Sequence, residues 1–190
     1  MTKNEIIEWL KQKLNPGLYK HSLGTMDTAL KLAEIHGYDQ YKSMLAGLLH
    51  DRAKALPHNE LIAFAREYEI PLDDIKLTQP GLLHAPVGAL LVKQELGIDD
   101  EEVLQAIRIH NTGSKGMSTL DKILYLADSS EPNRAYPDVE RIRELSVNGD
   151  LNNAVLEAIE IKVCYVLKKR SLLHPMTVEA RNYILKEITN

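Results

Sequence analysis

Apolar residues recur at helical spacing along most of the chain, and no convincing alternating strand pattern interrupts them. Ile6, Ile7, Trp9, Leu10 and Leu14 form a first stripe, opened by a Thr2/Glu5 capping box and broken at Pro16-Gly17. The pattern predicts a second helix from about Tyr19 to His36, with Leu23, Met26, Ala29, Leu30 and Ala33 on one face and Gly37 as its stop. His21 then falls in its first turn. A third helix is predicted from about Tyr41 to Ala55, ended by Pro57. Asn59 to Tyr68 reads as a short amphipathic helix, and one turn of helix falls within Leu72 to Gly81. Ala85-Pro86 starts the next helix, which runs to Gly97, and Asp99 with Glu102 caps another that ends at His110. Ser118 with Asp121 opens a helix through Asp128, Pro132 and Pro137 bracket an irregular piece, and two helices follow, over about Asp150 to Arg170 and Thr177 to Ile188. The fold class is all-α, a single-domain helical bundle over 1–190.

Composition narrows the function without naming it. The chain has 190 residues, 44% hydrophobic and 26% charged, as in an ordinary globular protein. A formal charge of -4 argues against a nucleic-acid binder, and the basic cluster Lys168-Lys169-Arg170 reads as a helix end. No apolar run approaches the roughly 20 residues that span a bilayer. The N-terminus has acidic residues where a signal peptide carries an apolar block, so the expectation is a cytoplasmic protein with no membrane partner. Cys164, the single cysteine, sits in an apolar run and reads as a small core residue.

The chemistry gathers around Ala46-Gly47-Leu48-Leu49-His50-Asp51-Arg52-Ala53-Lys54. Here a buried-looking run ends in two adjacent metal-competent side chains. His21, His84, His110 and Asp128 sit at comparable points of other helices. Each histidine alone is more often structural than a ligand, but their joint occurrence beside a His-Asp pair points to a metal site. His and carboxylate donors suit first-row metals better than calcium. Asp51 could bridge two ions, with His21, His50 and Asp128 on one and His84 and His110 on the other. Such a site suits in-line displacement at phosphorus with a bridging hydroxide as nucleophile. Lys54 and Arg134 are the cations expected at a phosphate, Lys54 because it lies one helical turn beyond Asp51. The Gly113–Gly116 loop with Lys115 reads as an ordinary connection. His36, His58 and His174 lack an apolar setting with an adjacent carboxylate and are not expected as ligands.

Together these motifs resemble the HD-domain metal-dependent phosphohydrolases, and within them the YqeK branch. The resemblance is carried by His21-Ser22-Leu23-Gly24, the segment Ala46–Lys54, and Leu83-His84-Ala85-Pro86-Val87-Gly88-Ala89. It continues through Ala106–Gly113, Asp121–Asp128 and Glu131-Pro132-Asn133-Arg134. It implies an HD-domain bundle with a motif-bearing core at about 19–143 and C-terminal helices at about 150–188. The implied activity is that of a symmetrical bis(5'-nucleosyl)-tetraphosphatase, cutting diadenosine tetraphosphate at its centre into two ADP. By the same resemblance His21, His50, Asp51, His84, His110 and Asp128 are metal ligands for two divalent ions. Iron is the implied metal, with manganese, cobalt or zinc as alternatives. Asp51 and Lys54 would be catalytic, with Lys54 and Arg134 facing the dinucleoside polyphosphate. A homodimer is an open expectation, since the superfamily often pairs helices across an interface. Alternatives are another nucleotide phosphomonoesterase or phosphodiesterase of this superfamily, or a non-catalytic metal- or nucleotide-binding sensor. Three positions depart from the branch: Arg52, expected to contact phosphate or point to solvent, Asn111 in place of threonine, and Ser129-Ser130 in place of a bulkier pair.

Overall fold

Side-chain caps fix most of the helix starts. In α1 (Lys3–Lys13) the Thr2 hydroxyl accepts from the Glu5 N–H, and the Glu5 carboxylate accepts from the Thr2 N–H. Asn15 caps α2 (Pro16–Ile35), with Pro16 as its first residue. The helix therefore begins a turn earlier than the apolar stripe suggests, and His21 stands in its second turn. Asp39 caps α3 (Gln40–Leu49), and Asp73 caps the short α5 (Asp74–Thr78) that follows α4 (His58–Glu67). A 3-10 turn, Pro80–Leu83, feeds α6 (His84–Leu96), which stops at Gly97 with φ 66°. Helix α7 (Glu101–Ile109) is capped by Asp100 rather than Asp99, whose carboxylate meets Lys93 at 3.0 Å. Ser118 and Asp121 form the expected capping box of α8 (Thr119–Ser130). The chain closes with α9 (Val139–Asn148), α10 (Leu151–Lys168) and α11 (Pro175–Thr189). This computed structural model describes residues 1–189, and no strand occurs among them. No helix is long and apolar enough to cross a membrane.

Three departures from the sequence reading have physical causes. Helix α3 ends at Leu49, not near Ala55, and the chain continues in tight turns in which Arg52, Lys54 and Leu56 N–H donate three residues back. Helix α9 was not expected: it buries Val139, Ile142 and Ser146, but Asp138 before it has φ 70° and makes no capping bond, so the usual start signal is missing. Cys164 is exposed, because the buried stripe of α10 is Ala154, Val155, Ala158 and Ile159 and has run out before residue 164.

Helix α2 is the spine. One of its faces meets α3, α7 and α8 through Met26, Leu45, Leu48, Leu49, Leu104, Ile107, Leu120 and Leu124, with α1 docked on this cluster through Ile6, Leu10 and Leu14. Its other face, Ala29, Leu32 and Ala33, packs with Ile123 and Leu126 of α8 and with the buried stripes of α10 and α11. A smaller cluster of Ala53, Leu61, Ala65, Leu83, Val87 and Leu91 ties α4 and the 3-10 turn to α6. Arg52 takes neither expected place. It is buried, donates from Nε and Nη2 to the two carboxylate oxygens of Glu95 at 2.8 and 2.7 Å, and lies over the Trp9 ring. This bidentate pair locks the turn after α3 onto α6 and α1.

The α2–α3 approach depends on Gly47, where an added Cβ would stand 2.8 Å from the Met26 Cα and 3.0 Å from the Thr25 carbonyl oxygen. Gly47→Ala should therefore destabilise the protein by about 1–3 kcal/mol through overpacking. Gly88, whose added Cβ would meet nothing closer than 3.5 Å, should accept alanine with a gain of about 0.5–1 kcal/mol. Urea-unfolding midpoints of the two variants, moving in opposite directions, provide the check.

Candidate metal centre

The ends of α3 and α7 and the start of α6 meet the second turn of α2 and the last turn of α8. Three histidines at these ends solve the same backbone problem in the same way. The ring Nδ1 of His50 lies 2.8 Å from the Gly47 carbonyl oxygen, that of His110 lies 2.8 Å from the Ile107 oxygen, and that of His84 bonds the Gly81 oxygen. Each acceptor is three residues back; the Gly47 and Ile107 oxygens lie in the last turns of their helices, and the Gly81 oxygen accepts from the His84 backbone N–H as well. A carbonyl can only accept, so each Nδ1 carries the proton and each Nε2 presents a lone pair.

His21 reaches the same state through a side chain. Its Nδ1 lies 3.1 Å from Glu131 Oε1, and Glu131 Oε2 accepts from the Asn133 backbone and side-chain N–H groups at 2.7 and 2.8 Å. Burial opposes the Glu131 charge, but the Asn133 donors and His21 outweigh it and lower its pKa. The carboxylate is thus ionised, and His21 Nδ1 is the donor.

All four Nε2 atoms converge. Those of His21 and His50 are 3.1 Å apart, as are those of His84 and His110. Asp51 lies between the two pairs: Oδ2 is 3.7 and 3.5 Å from His21 and His50, and Oδ1 is 3.2 and 3.5 Å from His84 and His110. Asp128 Oδ1 is 3.0 Å from His21 and 3.7 Å from His50. Asp51 Oδ1 is buried with no hydrogen-bond donor. A carboxylate oxygen against two imidazole lone pairs is repulsive until a cation stands among them. Groups of three donor atoms drawn from these residues lie within 4.8 Å of one another, so the donors fit a first-row metal by chemistry and spacing.

The electrostatics around the two carboxylates favour positive charge. Burial works against the Asp51 carboxylate, yet His50, His110 and His84 hold its pKa well below the usual range. Asp128 is likewise lowered against its burial, by His21, His50 and Arg134. Burial pushes His110 down to about 4, so its ring is neutral at pH 7 and free to donate a lone pair. For His50 burial is opposed by Asp51 and Asp128, and the pKa rises.

Both expected cations are at the centre. Lys54 Nζ lies 3.3 Å from His84 Nε2 and 3.5 Å from Asp51 Oδ1, brought there by the turn after α3 rather than by a continued helix. Arg134 donates to the Asp128 side chain at 2.6 Å and to its carbonyl at 2.9 Å, and Arg143 of α9 pins the Arg134 loop through three backbone carbonyls. Lys115 is exposed on its loop. His36 bonds the Ser146 carbonyl, His58 opens α4, and His174 pairs with Asp73 at 3.1 Å, a carboxylate remote in sequence. Asn111 ties the end of α7 to the Leu82 carbonyl. Glu131 is the functional residue that sequence reading left without a role. Its signal was the neighbouring Gly24, where a Cβ would stand 2.6 Å from Glu131 Oε2.

The model of the HD domain family matches residues 18–133. A protein of Halalkalibacterium halodurans named "Bis(5'-nucleosyl)-tetraphosphatase, symmetrical" is 41% identical over 98% of this chain and 99% of its own. One of the same name from Bacillus subtilis is 38% identical over 97% of this chain and 98% of its own. The crystal structure of a predicted HD superfamily hydrolase involved in NAD metabolism from Clostridium acetobutylicum superposes with a TM-score of 0.94 at 41% identity, covering 98% of both chains. With the His and Asp positions of its motif gathered at one centre, the chain belongs to the HD-domain family of metal-dependent phosphohydrolases, in the branch whose members are named symmetrical bis(5'-nucleosyl)-tetraphosphatases.

Proposed function

We propose that this protein hydrolyses diadenosine tetraphosphate symmetrically, adding water across the central P–O–P linkage to give two ADP. The observation that carries the reading is Asp51, whose two oxygens face two separate pairs of histidine Nε2 atoms. Together with Asp51, the residues that would hold two divalent ions are His21, His50, His84, His110 and Asp128. The full-length identity to relatives named for this activity supports the substrate.

A pair of divalent ions held there would supply an activated water and neutralise charge on the phosphates. The chain's own residues do the rest. Glu131 and the three backbone carbonyls keep four Nδ1 protons in place, so the rings cannot turn their donor edges inward. Lys54 and Arg134 stand at the exposed side of the carboxylates, where a phosphate oxygen can replace a carboxylate oxygen as their partner. Arg134, anchored to the Asp128 carbonyl through Nε, keeps its orientation during that exchange. The leaving ADP departs with the bridging oxygen on its β-phosphate, a charge these cations offset.

The test is hydrolysis of diadenosine tetraphosphate by iron-loaded protein under reducing conditions, with the nucleotides separated. ADP as the sole product, lost in Asp51→Ala, is expected. AMP with ATP would overturn central cleavage, and no turnover at full metal occupancy would overturn this substrate in favour of another phosphate ester or of a sensor.

Glu131 should affect the metal centre through His21. Glu131→Gln, which replaces the anionic acceptor by a neutral amide, should weaken metal binding about 10- to 100-fold. Competition with a chromogenic chelator measures it, and Gly24→Ala, which crowds the same carboxylate, should move in the same direction.

A further inference from the structure

Lys162 is a cation for which the described residues supply no counter-ion at salt-bridge distance. It follows the buried stripe of α10, and its side chain crosses to the loop after His110, where Nζ donates to the Asn111 carbonyl at 2.6 Å. The amine also stands 5.2 Å from the centre of the Tyr125 ring. Tyr125 itself is buried, and its hydroxyl has no hydrogen-bond partner. Among the described residues, no carboxylate lies within the 4.0 Å of a salt bridge to Lys162. The residue is partly buried by accessible surface, but its ammonium is so enclosed by protein atoms that its pKa is pushed down to about 8. Asp128 and Asp51 oppose that shift, whereas Lys54 and Arg134 add to it. The amine is held on the residue that directly follows His110, beside the metal centre.

An enclosed ammonium with a single carbonyl partner is unfavourable for stability alone, since buried charges are ordinarily paired. It keeps two N–H groups for another acceptor. The Asn111 carbonyl orients it, and the adjoining site is one that takes phosphate. Lys54 comes from the turn after α3, Arg134 from the loop after α8, and Lys162 from α10. Cations on three segments around one centre match a run of phosphates better than a single one.

We infer that Lys162 is a third phosphate-binding residue, one that holds the phosphate next to the one placed against the Asp51–Asp128 centre and so favours polyphosphate over monophosphate ligands. The inference rests on the phosphohydrolase reading above.

Calorimetric titration of metal-loaded protein with ADP, and with AMP as the shorter comparator, tests it. Lys162→Met removes the charge at nearly constant volume. Lys168→Met, at an exposed site on the same helix, removes the same charge as a control. The expected result for Lys162→Met is ADP affinity weakened about tenfold to a hundredfold, with AMP affinity changed less than about twofold. Metal content should be unchanged, and the melting temperature should rise by about 2–4 °C as an unpaired enclosed charge is lost. Unchanged ADP affinity would overturn the inference, and so would an equal loss for AMP. A fall in melting temperature and metal content alongside ADP affinity would make Lys162 a structural tie to the Asn111 loop and overturn it equally. Should Lys162→Met not fold, Lys162→Gln, which keeps a donor for the Asn111 carbonyl, gives the same comparison. Wild type that binds neither nucleotide would sink the phosphohydrolase reading as well. Wild-type binding with an unaltered variant would sink the role of Lys162 alone.

Discussion

The Nδ1–H bond from a histidine to a carbonyl three residues back is the constraint on which the centre depends. It occurs at His50, His84 and His110, and it does two things in each case. It gives a carbonyl at the end of a helix or turn a side-chain donor, and it fixes the tautomer so that Nε2 is an acceptor. The ligand edge of the ring is thus set by secondary structure rather than by the metal. A histidine placed mid-helix lacks this option, because the carbonyls behind it are already taken. His21 is in that position, and it is the one ring anchored by a side chain, Glu131.

Gathering lone pairs and carboxylates in this way works against stability, and the surrounding structure is built to withstand it. Close approach of α2 and α3 requires Gly47, and close approach of Glu131 to α2 requires Gly24. The Arg52–Glu95 pair, stacked on Trp9, clamps the turn that carries Asp51 and Lys54 onto α6 and α1. Arg143 does the corresponding work for the loop that carries Glu131 and Arg134. These supports lie outside the centre, and each holds an irregular segment in which a ligand or cation is embedded.

The parts of the site legible in the sequence were those that motifs mark locally. His50-Asp51, His84, His110 and Asp128 stand at helix ends or in a last turn next to apolar runs, a pattern visible without coordinates. They converge because the helix ends meet. What the sequence did not reveal was set by tertiary partners. Nothing local distinguishes Glu131 from a surface glutamate, and Arg52 reads as a solvent or phosphate-facing cation until Glu95 is placed beside it. Lys162 lies in an apolar run that suggested a buried face around Cys164, yet the inward residue is the lysine and the cysteine is exposed. Helix α9 escaped for the opposite reason, its apolar spacing being present but its cap absent.

Charge balance links metal loading to substrate binding on the proposed reading. Asp51 and Asp128 carry two negative charges between them, and His110 is neutral at pH 7. With no divalent ion present, Lys54 and Arg134 neutralise these carboxylates directly, and His50 gains affinity for a proton. Divalent ions taking the Nε2 and carboxylate lone pairs would compete with all three of these positive charges. Released from the carboxylates, Lys54 and Arg134 have only solvent or an anion to face, and a phosphate chain is the anion that also bridges them. On that reading substrate affinity would follow metal loading through the same two carboxylates.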